Sequence, residues 1–394
     1  MTTRIAAVAL LAMAFLAGCA TGTAPGGKRA LMIVGNDEKQ GWNDAGGVVL
    51  GAPGRDTVSV IDIGTDPLAP RTIVALPLMN TIAGPPTNLA ITPDEKLALV
   101  ANSLNVIDDA GVLKQVPDNR LWVIDLTTEP PRLIDTVVVG KQPSGLSINR
   151  AGTLALIANR AEGSVSVLRI AGKKVELIDT VVIGEQVSHV VFTPDGKRAL
   201  ATKFPGHKVA MLAVDGEKVT YTKYDMNVGL WPYNVDVTPD GRIALTADNG
   251  NSGAADGQID TVSVIDLEAS PPRVIDKVVV GDGPEGLVIS PTGRIAVALL
   301  LRGSNASKSA FFYNTNGSVV AMKIDGKKVT RSNEIEVGGL PEGAVFSDDG
   351  RFLYVGNFMT KDISILRVDG DRIVDTGKRI PLPGHPASMR ARSR

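Results

Sequence analysis

Along residues 228–249, apolar and polar positions alternate twice around one tight turn. Val235 and Val237 share a face of residues 233–238, the period-two signature of a half-buried strand, and residues 243–246 form a second apolar run. Thr238-Pro239-Asp240-Gly241 joins them. Proline presets the φ that the turn needs, aspartate caps it through its side chain, and glycine accepts a positive φ. The pattern predicts a hairpin.

The hairpin recurs. A segment of the form Pro-x-x-apolar-x-apolar begins at Pro86, Pro143, Val187, Pro232, Pro284, Pro341 and Pro386, at steps of 44 to 57 residues, a period that means a propeller or a solenoid. Six copies run on into a turn and a second strand. The copy at Pro386 does not, and residues 28–36 read as a second strand that lacks its first. Third strands are predicted at 57–63, 121–126, 165–170, 209–214, 261–267, 319–324 and 363–368, and fourth strands most plainly at 133–139, 175–183 and 274–280. Four strands in each of seven units predict an all-β, seven-bladed β-propeller in which the C-terminal strand completes the N-terminal blade.

Composition narrows the function without naming it. A formal net charge of -1 and 4% aromatics argue against a nucleic-acid partner. The 42 glycines and 24 prolines, with no long apolar periodic helix, agree with a turn-rich all-β chain.

Ser290-Pro291-Thr292-Gly293, residues 352–357 and residues 261–266 resemble pieces of the YVTN-repeat β-propellers, a group that is itself similar to seven-bladed lactonases and to the propeller subunits of amine dehydrogenases. The resemblance covers roughly residues 28–394. It implies the fold and leaves the activity open, because these motifs are turn and core residues. Lactonases of this group use acidic and basic side chains at the channel mouth, but no local motif carries one of them over to a position here.

The first residues read as an address. Arg4, the apolar run 5–16 and Leu16-Ala17-Gly18-Cys19 resemble a bacterial lipoprotein signal (1–18), with Cys19 as the lipidated residue and 19–27 as a tether before the propeller at 28–394. Cys19 is the only cysteine, which excludes an internal disulfide and a cysteine-based metal site. Ala20 after the cysteine favours an outer-membrane anchor facing the periplasm. The expected partners are the membrane, through this acyl anchor, and an envelope protein or small-molecule ligand.

Strand polarity sorts the loops. In antiparallel blades the loop entering the innermost strand and the loop between the second and third strands emerge on one face, here called upper. Four of the second-to-third loops, starting at Asn36, Asn102, Asp248 and Arg302, are long, and long loops on a rigid scaffold are where propellers bind. Glu285 and Glu342 occupy equivalent positions just after the repeat proline, so two carboxyls face one mouth and are acid/base candidates with His189. Tyr233, Asn234, Arg160, Lys203, Arg302 and Asn357 are candidate ligand-binding residues on the same face. Asp236 and Arg390 stand out differently, as charges in an inner-strand slot that elsewhere holds Ala90, Ser147, Val191, Val288 and Val345. No cofactor motif or regular metal-ligand spacing occurs. The expected function is a ligand- or protein-binding envelope scaffold, with a lactonase-like hydrolase as the alternative.

Overall fold

In the computed structural model, which describes residues 28–80 and 86–394, the predicted strands assemble into seven four-stranded antiparallel sheets arranged as propeller blades around a central channel. The signal-peptide, Cys19 and tether readings lie outside the described residues. Blade 5 shows the unit: from the axis outward it runs Pro232–Val237, Ile243–Asp248, Asp260–Asp266 and Arg273–Gly281. The turn works as its residues suggest. Gly241, at φ 73°, donates its N–H to Thr238 O at 2.8 Å. Asp240 Oδ1 accepts from the Thr238 hydroxyl at 2.6 Å and from Arg242 N at 3.1 Å. The core lies between blades. Leu245 and Val264 of blade 5 pack fully buried against Leu287, Val320 and Met322 of blade 6.

The ring closes as expected. His385–Ala391 is the innermost strand of blade 1, pairing antiparallel with Leu31–Asp37, which then pairs with Thr57–Asp62 and so with Arg71–Leu76. Met389 fills the joint with blade 7: a Cβ added to Gly356 would fall 2.6 Å from its Sδ. A second seam ties blade 1 to blade 2. Glu95 takes the left-handed turn position that glycine fills in most repeats, at φ 55°, and its carboxylate accepts Leu31 N at 2.8 Å.

Two of the four long insertions are strands. Residues 102–118 extend the blade 2 hairpin, Leu97–Asp109 against Val112–Asp125, through a two-residue turn at Ala110 (φ 52°) and Gly111 (φ 85°). Leu104 and Val106, two residues apart, form the buried face of this hairpin. Residues 36–56 contain a small hairpin, Gln40–Trp42 with Val48–Leu50. Only 249–259 and 302–317 remain loops.

Candidate active site

The four insertions meet over the upper face. Asp44 pairs with Lys308 at 2.8 Å, Gln40 with Gln115, and Trp42 sets its ring edge-on to Phe358 at 5.5 Å. Gly257 backs onto Phe311 and Phe312. Ala255, Leu301, Leu340, Phe358 and Ala387 form the apolar underside of this roof. Blades 3 and 4 have short loops and contribute nothing to it, so a pocket of about 470 Å³ opens on their side, lined by Arg160, Glu185, Gln186, Phe204, Trp231 and Ser252.

The structure brings four of the candidates together beside this pocket. Arg160 donates from Nη1 to the Tyr233 hydroxyl at 2.9 Å and lies over the Phe204 ring at 4.4 Å. Phe204 in turn meets Tyr233 edge-on at 5.9 Å and Trp231 at 5.7 Å. Glu285 and Glu342 are buried and interact with each other; Glu342 Oε2 has no hydrogen-bond partner among the described residues. Burial raises both carboxyls far above the ordinary range. Arg160 pulls Glu285 back down, whereas the Glu285 charge drives Glu342 up further. Tyr233 is pushed up to about 12, first by burial, and stays a neutral hydroxyl. The 249–257 loop covers this group: a Cβ on Gly253 would lie 3.7 Å from the Tyr233 oxygen and 3.9 Å from Glu285 Oε1.

His189 belongs to the other end of the channel. Its side chain lines a separate cavity of about 580 Å³ that is bordered by the hairpin turns of the lower face. Its Nδ1 accepts Val235 N at 3.3 Å, and burial with the nearby Arg390 charge holds it neutral. The ring fills the space left by Gly145, whose Cβ would sit 2.4 Å from His189 Cδ2. Asn234 is buried next to it, with Nδ2 donating to Leu287 O at 3.3 Å.

Three candidates are engaged within their own blades instead. Asn357 donates to Asp362 Oδ1 at 2.7 Å and Ser364 Oγ at 2.9 Å. Asn36 and Asn159 do the same to Thr57 with Ser59 and to Ser164 with Ser166, so this asparagine is a clamp between second and third strands, repeated around the ring. Blade 5 replaces it with Asp248, raised to about 6 by burial while accepting from Thr261 and Ser263. Lys203 stands at the equivalent position of blade 4, but its amine turns outward to Asp225 (2.7 Å) and Glu185 (2.8 Å). Arg302 reaches Glu336 on the outer strand of blade 6 at 3.4 Å. Their residue types invited a ligand role; the pairing geometry satisfies all three locally.

The sequence reading passed over Phe204 and Trp231. Trp231 sits at φ 53°, costly for a bulky side chain, yet Gln142, Gly283 and Leu340 hold the same left-handed conformation before their repeat prolines. The strain therefore belongs to the repeat, and blade 5 uses it to present an indole. The signal was available in principle: aromatics are scarce, and five of them, Phe204, Tyr221, Tyr224, Trp231 and Tyr233, fall within residues 204–233.

Comparison with known proteins agrees on the fold. No protein-family model and no curated protein sequence matches the chain. Among solved structures it is similar to a protein provisionally assigned as a 6-phosphogluconolactonase from Bacteroides uniformis, with 15% identity over 92% of this chain and 99% of that one and a TM-score of 0.70. A counterpart from Bacteroides fragilis gives 17% identity over 92% and 98%, also at 0.70. A periplasmic gluconolactonase from Pseudomonas aeruginosa gives 19% over 92% and 99%, at 0.66. The chain is a seven-bladed β-propeller. At such identities the likeness carries the architecture alone.

Proposed function

We propose that the protein hydrolyses lactones of sugar acids at the upper mouth, with Glu285 as base and Glu342 as acid. The observation that carries this reading is the buried Glu285/Glu342 pair near Arg160 and Tyr233, behind the wall of an aromatic pocket that Arg160 lines. Two carboxyls in different fields divide the roles: Glu285, next to the arginine, ionises first, and Glu342 keeps its proton. Glu285 takes a proton from water as its oxygen attacks the lactone carbonyl. Arg160 and the Tyr233 hydroxyl stabilise the oxyanion that forms, and Glu342 protonates the ring oxygen as the acyl C–O bond breaks. The products are the open hydroxy acid and, after proton exchange, the starting enzyme. Trp231 and Phe204 offer flat apolar walls to a sugar ring, Gln186 and Ser252 offer polar contacts, and the volume suits one small ligand. The lactonases among the structural neighbours support this choice of substrate. A binding scaffold would need only a complementary surface, and that gives no reason for two buried acids at the mouth.

Assaying a panel of five- and six-membered aldonolactones should show turnover that falls roughly 100- to 10,000-fold in Glu285→Gln and Glu342→Gln, with the fold unchanged by circular dichroism. Absence of turnover in the wild type across the panel, or full activity in Glu285→Gln, would overturn the assignment.

The same reading places the enzyme in the periplasm, acylated at Cys19 and held at the outer membrane; the periplasmic neighbour supports export. Cys19→Ser should then move the protein from the membrane to the soluble fraction. Its retention on membranes after a salt wash would rule out Cys19 as the anchor.

A further inference from the structure

The lower cavity has its own chemistry, independent of the hydrolase reading. One level of its wall is a ring of equivalent inner-strand positions, Ala90, Ser147, Val191, Asp236, Val288, Val345 and Arg390, one from each blade. The two polar acceptors in this ring serve as staples. Ser147 Oγ receives Phe192 N of the next blade at 3.2 Å, and Asp236 Oδ2 receives Ile289 N of the next blade at 2.8 Å. Asp236 Oδ1 also accepts Val237 N at 2.9 Å.

Arg390 cannot act in this way, because a guanidinium carries donors only. It extends from blade 1, three blades around the ring from Asp236, and among the described residues its side chain makes no hydrogen bond or close ion pair. Burial works against its charge, and the field of Asp236 across the cavity is the opposing influence. The guanidinium is partly exposed to the cavity, so its donors are open to an acceptor that enters there.

The rim adds to the same sign. Arg392 and Arg394 share the single carboxylate of Asp348, at 2.9 and 3.1 Å, and Arg150 is exposed at the opening. Among the described residues that line the cavity, four arginines thus face two carboxylates, both of which already accept hydrogen bonds. His189 at the closed end is neutral and does not alter the balance.

We propose that this cavity is a binding site for a small oxyanion, a carboxylate or phosphate group of a metabolite, held by the Arg390 fork and entering past Arg150, Arg392 and Arg394. Its about 580 Å³ admits a molecule of sugar-acid or dicarboxylate size. Arginine presents two parallel N–H donors to such groups, the arrangement that makes these pairs strong and selective.

Isothermal titration of the full protein with inorganic phosphate and with malonate, at constant ionic strength set by chloride, tests the site and separates the two anion sources. At least one should bind, and Arg390→Met should lose that binding by at least tenfold. Arg390→Lys keeps the charge without the fork and covers the case in which the methionine variant does not fold; it should bind several-fold more weakly than wild type. Asp236→Asn removes the opposing charge and should bind several-fold more tightly. The proposal is overturned if neither anion binds above the chloride background, if Arg390→Lys binds like wild type, or if Asp236→Asn leaves the affinity unchanged. Lactone turnover is read separately with Glu285→Gln, so failure of either proposal leaves the other standing.

Discussion

The two ends of the central channel are built from the same seven inner strands and differ in sign, cover and means of variation. At the upper end Glu285 and Glu342 lie under a roof of insertions, with the Arg160 charge acting on Glu285. At the lower end Arg390 stands in a cavity ringed by four-residue turns of nearly constant length. The turns cannot vary much. Pro93, Pro194, Pro239 and Pro291 belong to hairpins whose register depends on turn length, and a change there would flip every side chain of the following strand. Loops between second and third strands have no such constraint, as the 13- and 14-residue arms of the blade 2 hairpin show. The upper end therefore acquires its character through loop length, and the lower end through single substitutions in the channel wall.

The largest effect should come from breaking what the two ends share. Removing residues 384–394 deletes the inner strand of blade 1, opens Leu31–Asp37 as an unpaired edge and takes Met389 from the joint with blade 7. Cooperative unfolding should be lost, a change comparable to the whole stability of a domain, roughly 5–15 kcal/mol. A truncated protein that melts at the wild-type temperature would refute the closure.

A smaller change separates the ends by pH. The folded-state pKa of each buried glutamate lies above its unfolded value, so its contribution is complete below about 4.5 and is lost as pH rises, toward about 8 for Glu285 and in the same direction for Glu342. Glu342→Gln cannot ionise. It should flatten this decline, leaving stability near pH 4.5 almost unchanged and raising it at pH 8. Urea titrations at the two pH values measure the difference, and a variant less stable than wild type at pH 8 would mean the carboxylate is stabilised there. The smallest effect belongs to Lys197 on the lower turns, exposed and outside both cavities. Lys197→Ala should alter stability by under about 0.5 kcal/mol at either pH and leave turnover and anion binding alone.

What the chain determines locally is the repeat. Pro-x-x-apolar-x-apolar, Thr-Pro-Asp-Gly and the alternation of Val262 and Val264 are short-range signals, because strand period and turn chemistry act over a few residues. Seven copies set the number of blades, and the closing strand follows from pairing every edge. Strand polarity likewise put Glu285, Glu342, Tyr233 and Arg160 on one face. It could not tell an engaged side chain from a free one. Asn357, Lys203 and Arg302 share that face, but their partners, Ser364, Asp225 and Glu336, lie on outer strands whose register alone decides whether an amide or a cation is satisfied. The height of His189 in the channel, the indole that a left-handed Trp231 turns into the pocket, and the lack of a hydrogen-bond partner for the Arg390 side chain among the described residues are also decisions of the closed ring. Each depends on distances between side chains from different blades, and those exist only after the first and last strands have paired.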